Sequence, residues 1–550
     1  MDSLFVPFRA ERVIARRDGI LVVDKPPHMV VHGGDELRRG DVVSRLRELL
    51  VQSGEEGYLG VHSRLDVGTS GVLPFTTSRA VNAAVADEIE RGAAERVYVA
   101  AVSVSGRSRL GKSGTLEHQL LSDKRRTRVV PSGGERAVAH YRVLGEQGGR
   151  ALVELRPETG RMHQLRVQLS ALGAPIAGDE LYGGAPAWRL LLHCRRRLVL
   201  GEAYEAPVPA ELERWLKYGS SFAALASFRE RVLDAAALRT PLLAETDVFR
   251  VVAEQGDGLP GVTIDRYGAH AVLSVASEEA EQHSAEIADL LAQHGAHGVY
   301  LKRRERRDLR RVGAAEIAPV LPVVGEPATP DLTVTEQGMR ILCELGDGLS
   351  TGLFLDQRDN RRRVRELAGG KQVLNLFSYT CSFSVAAALG GAARVTSVDV
   401  GGRALERGRQ NFVANGLEPG RHEFVQADAV RFVRGAVKHG RKLDLIVLDP
   451  PSFGTVGKAT FKFDRDIEGL MTDCLRLLQP GGMLLCVTNH KKTNPAAFRR
   501  YVERAAAQAR REIKLRDLPS QLDFPDDLDG PHPSKSLLAT VVVSESRSAR

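Results

Sequence analysis

The sequence of 550 residues predicts a multidomain protein that combines two α+β domains with an α/β Rossmann-like domain. Three observations predict this class. The chain is several times longer than a domain of ~150 residues. Its first part is rich in short β-like runs separated by Gly and Pro, and its last part alternates strands and helices. We expect an α+β domain with a mixed antiparallel sheet at 1–217, a linker helix at 218–240, a small α+β domain at 241–340 and a mainly parallel α/β domain at 341–550.

The first region contains apolar runs such as GILVVDKP, ERVYVAAVSV and ALVELRPETG, which stand between turn residues. Runs of this kind are typical of strands. The stretch SSFAALASFRERVLDAAALR follows them, and its Ala- and Arg-rich composition predicts the linker helix.

The third region begins with VFRVVAEQGDGLPGVTIDRYGAHAVLSVAS, which predicts strands around a turn. EEAEQHSAEIADLLAQHG then has the periodicity of one amphipathic helix. A Pro-rich connection, PVVGEPATPDLTV, leads to the last region. There the strands KQVLNLF, RVTSVDV, EFVQADAV and DLIVLDPP alternate with helices, which indicates a doubly wound parallel sheet.

Composition indicates a globular protein and favours a polyanionic partner. The net charge is +8 and the pI is near 9.3. The basic clusters KRRTR, RRR, LKRRERRDLRR and RRRVR suit a nucleic acid, although such clusters are usually solvated faces. No run approaches the ~18 apolar residues of a membrane span, so we expect a cytoplasmic protein. The five cysteines lack paired spacing, which predicts neither disulfides nor a metal site.

Three carboxylates follow strands of the predicted parallel sheet, where ligands bind. Asp399 ends the second strand, where an acid can hold a ribose. Asp428 follows the third strand and could accept a hydrogen bond from an adenine amino group. Asp449 ends the fourth strand. The G-x-G-x-x-G fingerprint for a pyrophosphate is absent. A cofactor with ribose and adenine but no phosphate fits, which indicates S-adenosylmethionine. The loop after the first strand would contact it through Phe377, Ser378 and Tyr379.

Several motifs of this region resemble the class I methyltransferases that modify large-subunit ribosomal RNA, the RlmI-like and RlmKL C-terminal groups. They are TGLFLDQRDNRR, NLFSYTCSFSVAAALGGA, SVDV, NFVANGL, QAD and DPPSF. Upstream, DGLPGVTIDRYG and LKRRERRDL resemble the small substrate-side domain of those proteins. The resemblance implies methyl transfer beside Asp449 and RNA contacts from Arg303, Arg304 and Arg358.

The methylated atom depends on the side chains near the DPPSF turn. Carbon 5 of a pyrimidine needs a cysteine thiolate that first adds to the ring. The two family positions for that cysteine are occupied by Ser452 and approximately by Asn489, and we expect Cys486 to be packed within a strand. Nitrogen 7 of guanine needs only alignment. The TNHKK segment resembles the corresponding loop of guanine-7 methyltransferases. This implies that Asn489 holds the base and that Lys491 or Lys492 contacts a phosphate, although a surface loop is an alternative for the two lysines. A 5-methylcytosine product stays open.

The N-terminal region contains Asp66 in VHSRLDVGTSGVLPF, where a lone Asp is ordinarily a turn residue. Four further motifs follow the order found in RluA-like RNA pseudouridine synthases. They are ILVVDKPPHMVVHGG, RVYVA, ETGRMHQLRVQLSALGAPIAGDELYGG and LLHCRRRL.

This second resemblance implies that Asp66 is the catalytic carboxylate that acts on uridine. Tyr98 would pack against the base and could serve in proton removal, and Arg166 would pair with Asp66. The implied RNA-binding residues are Arg64, Arg161, His163 and Gln164. The family reads H-R-L-D, whereas Ser63 precedes Arg64 here, and we expect altered substrate fit.

The favoured hypothesis is a bifunctional enzyme that makes pseudouridine with its first domain and a methylated base with its last. The expected partner is RNA, and the resemblances imply large-subunit ribosomal RNA. A second hypothesis treats the first domain as a non-catalytic RNA-binding module of the methyltransferase, and the Ser63 departure favours it slightly. A third has the methyltransferase act on a protein or small molecule, which the basic segments disfavour.

Overall fold

The computed structural model describes most of the chain. The residues outside the description are 34–40, 92–94, 107, 124–125, 221–227, 305–316, 452, 457–458, 491, 526–534 and 544–550. Among the residues that are described, no helix is both long and apolar enough to cross a membrane.

The N-terminal region folds around one sheet of eleven strands. The strands are β1 (Val13–Arg17), β2 (Ile20–Lys25), β3 (Gly60–Val61), β4 (Ser70–Thr76), β5 (Arg96–Ser103), β6 (Ser113–Ser122), β7 (Thr127–Val130), β8 (Glu135–Gln147), β9 (Arg150–Pro157), β10 (Leu192–Val199) and β11 (Glu202–Glu205). The helices are α1 (Val42–Gln52), α2 (Asn82–Glu90), α3 (Gln164–Ala171) and α4 (Ala210–Tyr218).

The main path of this sheet is β1-β2-β4-β10-β5-β9-β8-β6-β7, with β3 beside β4 and β11 beside β10. Strands β4 and β10 run parallel, and the other strand pairs of the described sheet are antiparallel. This arrangement confirms the predicted α+β domain with a mixed sheet. Because β4, β10 and β5 are neighbours, the loop that precedes β4 lies near the middle of β5.

Helix α5 (Phe228–Arg239) precedes a second sheet and packs into its hydrophobic core. The strands, in spatial order, are β12 (Val248–Ala253), β13 (Val262–Tyr267), β14 (His270–Val275), β15 (Gly298–Arg303) and β16 (Val324–Gly325). Two helices, α6 (Glu278–Gln282) and α7 (Ser284–Gln293), stand where one was expected. The break is at His283, whose ring stacks on Phe228 with 4.1 Å between ring centroids.

A hairpin of β17 (Leu332–Glu336) and β18 (Met339–Cys343) connects this domain to the last one. The expected domain boundary between residues 340 and 341 therefore cuts through a strand. We propose that the boundary lies before β17, because the amide N–H groups of Arg340 and Leu342 donate to the side chains of Asn415 and Asn411 in the last domain, at 2.8 and 2.9 Å.

The C-terminal region folds around a seven-stranded sheet. Its strands are β19 (Gln372–Leu376), β20 (Arg394–Asp399), β21 (Glu423–Gln426), β22 (Leu443–Leu448), β25 (Leu478–Thr488), β26 (Ile513–Leu518) and β27 (Lys535–Val541), and β23 (Phe453–Val456) and β24 (Ala459–Lys462) form a separate hairpin. The helices are α8 (Arg358–Leu367), α9 (Ser382–Leu389), α10 (Gly402–Ala414), α11 (Ala429–Lys438), α12 (Phe463–Leu477) and α13 (Pro495–Ala509).

The strand order of this sheet is β21-β20-β19-β22-β25-β27-β26. The first five strands are parallel, and β27 runs antiparallel to both of its neighbours. This topology confirms the predicted α/β Rossmann-like domain. The carboxyl ends of the parallel strands meet at one edge of the sheet, so the residues that follow them share one site.

Candidate active sites

The N-terminal domain has a pocket that is lined by all seven residues expected to bind or modify RNA in this domain. It is lined by Arg64, Asp66, Tyr98, Arg161, His163, Gln164 and Arg166, together with neighbouring residues. These residues come from the loop before β4, from β5 and from the start of α3. The fold therefore brings together positions that are up to a hundred residues apart in the chain.

Asp66 and Arg166 form the centre of this pocket. Nη1 of Arg166 donates to Oδ2 of Asp66 at 3.1 Å. The same guanidinium donates from Nε and Nη2 to both carboxylate oxygens of Asp179, at 2.7 and 2.9 Å. The Asp179 side chain is 0% exposed, so it fixes Arg166, which in turn fixes Asp66. Asp179 was not singled out in the sequence, although it lies within the GDELYGG part of the third motif.

Tyr98 and His163 line the same pocket. Tyr98 is buried, and burial raises the pKa of its phenol. The phenol is therefore neutral at physiological pH, which suits packing against a base and disfavours the expected service in proton removal as a phenolate. Nε2 of His163 is 4.0 Å from Oδ2 of Asp66, and Nδ1 is 2.9 Å from the Tyr182 hydroxyl. Burial lowers the pKa of His163, which favours its neutral form.

Gln164 differs from the expectation that it contacts RNA. Its side chain is 4% exposed. Its amide oxygen accepts from the Thr159 hydroxyl and from the Arg161 N–H at 2.8 and 3.1 Å, and its Nε2 donates to the Val138 carbonyl at 3.0 Å. Gln164 thus organises the loop before α3, whereas Arg64 and Arg161 are exposed and available to a polyanion.

Lys25 stabilises the Asp66 loop through a hydrogen bond to its backbone, a role that the sequence motif DKPP did not predict. Its fully buried ammonium donates to the carbonyls of Pro26, Met29 and Val67, at 2.8, 2.8 and 3.1 Å. Burial lowers the pKa of Lys25 to about 7, and the positive charge of Arg189 acts in the same direction. Val67 follows Asp66 directly, so Lys25 ties the Asp66 loop to the turn after β2.

In the C-terminal domain, a strained loop follows β19. Phe377, Tyr379 and Cys381 adopt left-handed backbone conformations, with φ of 57°, 46° and 64°. Such conformations are costly for residues other than glycine and cluster at binding sites. The loop is held by Asp399, whose carboxylate accepts from the N–H of Tyr379 and from that of Gly401, both at 2.8 Å. Ser378 is buried, and its N–H donates to the Val398 carbonyl at 3.0 Å.

The residues at this edge fit S-adenosylmethionine. Each Asp399 oxygen keeps a second lone pair for a ribose hydroxyl. Asp428 caps α11, with Oδ1 accepting from the Arg431 N–H at 2.9 Å, at the expected position of the adenine. A cavity of about 510 Å³ opens beside the loop and is lined by Tyr379 and Gly401. Asp399, Asp428 and Asp449 are not among the residues that line this cavity, so the fit to the cofactor rests on the loop and on the three carboxylates.

Asp449 ends β22 at the same edge and is half-buried. Burial raises the pKa of its carboxyl to about 7; the nearby charge of Asp356 adds to this rise and that of Arg361 opposes it. A carboxylate with a strongly shifted pKa in a cleft is a mark of a functional site. Asp356 belongs to the motif TGLFLDQRDNRR, so this motif contributes a charged residue close to Asp449.

Asn489 is exposed directly after β25, next to the end of β22. Cys486 lies inside β25 and is fully buried, as expected, and burial raises the pKa of its thiol. Lys491 and Ser452 lie outside the described residues. Within the described part of the chain, no group of three or more His, Cys, Asp or Glu side chains is arranged to hold a metal ion.

The three arginines expected to contact RNA in the C-terminal half have different environments. Arg304 is exposed. Arg303 is half-buried and donates from Nε to Glu281 of α6 at 2.5 Å. Arg358 differs from the expectation, because it is 2% exposed and both its terminal nitrogens donate to Asp523, at 2.9 and 2.6 Å. Its charge is neutralised inside the protein and does not reach a ligand.

Comparisons with known proteins agree with both domain assignments. A family described as S-adenosylmethionine-dependent methyltransferase matches residues 281–539, and one described as RNA pseudouridylate synthase matches residues 19–171. The ribosomal RNA large subunit methyltransferase I of Klebsiella pneumoniae is 37% identical over 292 residues, which are 52% of this chain and 72% of that protein.

Solved structures give the same result for the C-terminal part. A methyltransferase complexed with SAH is 27% identical, with a TM-score of 0.52 over 63% of this chain and 87% of the other. A SAM-dependent methyltransferase from Streptococcus mutans is also 27% identical, with a TM-score of 0.51 over 62% of this chain and 85% of the other.

Fold and sites thus define an enzyme with an RNA pseudouridylate synthase domain and an S-adenosylmethionine-dependent methyltransferase domain. The chain belongs to the family of ribosomal RNA large subunit methyltransferase I.

Proposed function

We propose that this enzyme isomerises uridine to pseudouridine and methylates nitrogen 7 of guanine, both in ribosomal RNA. The RNA assignment rests on the matched families and on the net charge of +8. We also propose that it works in the cytoplasm. The observation that carries the choice of guanine is the state of the cysteines, because the competing pyrimidine reaction requires a reactive thiol.

Methylation of carbon 5 needs a thiolate that can reach the ring. All five cysteines of the chain are buried. Burial raises the pKa of each of their thiols. Cys381 stands in the cofactor loop, but its sulfur is enclosed by Ser378 and by the Tyr379 carbonyl, at 3.8 and 3.7 Å. Buried thiols in apolar surroundings are inert, which disfavours 5-methylcytosine.

Nitrogen 7 of guanine carries a usable lone pair, so its methylation requires alignment and no covalent intermediate. Asn489 is the exposed polar side chain beside the end of β22, and its amide can both donate to and accept from a base edge. Asp449 would stand next to the sulfonium, with Asp399 on the ribose and Asp428 on the adenine. S-adenosylmethionine supplies the methyl group when bound.

In the first domain, Asp66 would act on the uridine while the glycosidic bond breaks and re-forms to carbon. The geometry that supports this role is the chain of contacts from buried Asp179 through Arg166 to Asp66. A base inside a folded RNA must first be extruded into the pocket. Exposed Arg64 and Arg161 at the pocket's edge suit the phosphates on either side of the extruded base.

The test is nucleoside mass spectrometry, with site mapping, of ribosomal RNA from a strain that lacks this protein and is complemented with variants. We expect Asn489→Ala to reduce one 7-methylguanosine at least about tenfold and Asp66→Asn to reduce one pseudouridine at least about a hundredfold. Each variant should leave the other modification intact. Cys486→Ala is the matched control on the same strand and should change neither.

Loss of a 5-methylcytosine in Asn489→Ala or in Cys486→Ala would contradict the guanine assignment. An unchanged pseudouridine map in Asp66→Asn would favour the alternative in which the first domain only binds RNA. Melting temperatures of the purified variants show whether a loss reflects unfolding.

A further inference from the structure

Three polar side chains stand in one row across the small domain's sheet. Thr263 of β13 pairs in register with Ser274 of β14, and Ser274 pairs with Lys302 of β15. Residues directly opposite each other on neighbouring strands point to the same face of a sheet. The alternate positions Val262, Val275 and Leu301 belong to hydrophobic clusters, whereas this row carries a hydroxyl, a hydroxyl and an ammonium.

The three side chains of this row are buried, and two of their polar atoms have no hydrogen-bond partner among the described residues. Lys302 is 1% exposed and Thr263 is 5% exposed. Neither Nζ of Lys302 nor Oγ1 of Thr263 has a hydrogen-bond partner among the residues that the structure describes. A buried cation without a partner is strongly unfavourable, because it loses its hydration without gaining a compensating interaction. Burial accordingly lowers the pKa of Lys302 to about 8.

Among the described residues, two acids raise the pKa of Lys302, and both already have cationic partners. Asp265 accepts from Nε and Nη2 of Arg250, at 2.7 and 3.0 Å. Asp347 lies 3.3 Å from Nη2 of Arg403. Arg304 adds a second positive charge near Lys302, and the two charges repel. The row therefore has an excess of positive charge and of hydrogen-bond donors.

Arg304 and Tyr267 connect the sheet that carries this row to the segment before the methyltransferase sheet. Nη2 of Arg304 is 3.4 Å from the Leu349 carbonyl, and its Nε is 3.3 Å from Oγ of Ser274. The Tyr267 hydroxyl on the same sheet contacts the Thr351 hydroxyl at 2.7 Å. The segment that contains Leu349 and Thr351 lines the cavity beside the cofactor loop, together with Tyr379. The row therefore lies where the small domain meets the methyltransferase domain.

We propose that Lys302, Arg304, Thr263 and Ser274 form a phosphate site for the RNA backbone at the seam between the small domain and the methyltransferase domain. The inference rests on the proposed RNA substrate. The two side-chain contacts that exposed Arg304 makes with described residues are long for hydrogen bonds, so its guanidinium can turn outward and admit a phosphate to the row. Oxygens of the phosphate then accept from the ammonium, the guanidinium and the hydroxyls. Of these groups, the Lys302 ammonium and the Thr263 hydroxyl lack a hydrogen-bond partner among the described residues of the free protein.

The test compares Lys302→Met with Lys438→Met in the full chain. Lys438 is exposed at the end of α11 that is remote from Asp428, so it lies at the sheet edge opposite the cofactor. The measurement is binding of large-subunit ribosomal RNA from the deletion strain over a range of salt concentrations. We expect Lys302→Met to weaken binding about tenfold and to reduce the slope of log affinity against log salt by about 0.7–0.9, the share of one phosphate. Lys438→Met should match wild type.

The melting temperature of the free protein provides the second readout. Removal of an uncompensated ammonium should leave it unchanged or raise it. A lowered melting temperature with an unchanged salt slope would overturn the proposal, because it would mean that Lys302 is paired inside the protein. Thr263→Val removes one hydroxyl of the row at nearly constant shape and should weaken binding a few-fold. Because binding is measured without identifying a product, failure of the guanine assignment would leave this result untouched.

Discussion

At the residue scale, Asp449 combines two properties that set the behaviour of the proposed methyl-transfer site. It follows the strand at whose end the methyl group would be transferred, and burial raises the pKa of its carboxyl to about 7. At pH 6 most of the free enzyme therefore carries a neutral side chain there, and at pH 8 most carries a carboxylate. A sulfonium beside it favours the ionised form, and a neutral thioether does not.

We predict that the affinity for S-adenosylmethionine rises by up to about tenfold between pH 6 and pH 8, because binding requires loss of a proton below the pKa of Asp449. The affinity for the thioether product should change much less. Calorimetric titration of both ligands with wild type and Asp449→Asn measures the difference. An equal pH dependence for the two ligands would contradict the placement of Asp449 beside the sulfonium.

Residue types in the sequence indicated the chemistry better than they indicated the direction of each side chain. Asp66 and Arg166 meet as expected because their motifs fix both the residues and their order. Gln164 and Arg358 have the same polar character, yet both turn inward, because a buried carbonyl or carboxylate from a distant segment receives them. No local pattern contains that distant partner.

At the element scale, the direction of the side chains on helix α8 was likewise not predictable from the sequence. Its sequence RDNRRRVREL reads as a basic face. In the structure, Arg358 binds Asp523, and Arg361 donates to both oxygens of Glu336, at 2.7 and 2.6 Å. Both pairs are nearly inaccessible to solvent. The alternation of strands and helices was predictable from periodicity. The burial of two arginines of this helix in ion pairs was not predictable.

We predict that Arg358→Met lowers the free energy of unfolding by about 3–5 kcal/mol, because it leaves the Asp523 carboxylate buried without its cation. Replacing both partners, as in Arg358→Met with Asp523→Leu, should recover much of this loss. Urea unfolding followed by circular dichroism measures both variants. Stability equal to wild type, combined with a reduced salt slope of RNA binding, would restore the RNA-contact role for Arg358.

At the scale of the whole molecule, helix α5 connects the synthase domain to the rest of the chain. Asp234 on this helix accepts from Nε and Nη2 of Arg12 and from Nη1 of Arg9. The guanidinium of Arg45 donates to the Ala237 and Leu238 carbonyls near the end of the helix. On its other side, the helix contributes to the core of the small domain.

We predict that Asp234→Ala weakens the attachment of the synthase domain by about 2–3 kcal/mol, because two partly buried guanidinium groups lose an acceptor. Differential scanning calorimetry should then resolve an unfolding transition of the synthase domain at lower temperature. Asp87→Ala is the control, since it removes an exposed pair with Arg91 and should change stability by less than about 0.5 kcal/mol. A single unshifted transition in Asp234→Ala would show that α5 does not couple the domains.

The packing of Phe5 has a consequence for the order in which the protein is made. Phe5 and Leu4 are buried in the core of the small domain, and the ring of Phe5 lies 5.3 Å from that of Phe249. The ribosome adds about 5–20 residues per second, so Phe5 is synthesised on the order of tens of seconds before its partner. The synthase strands emerge during this interval. The nascent chain must therefore keep the apolar segment around Phe5 out of non-native contacts until the small domain has been synthesised.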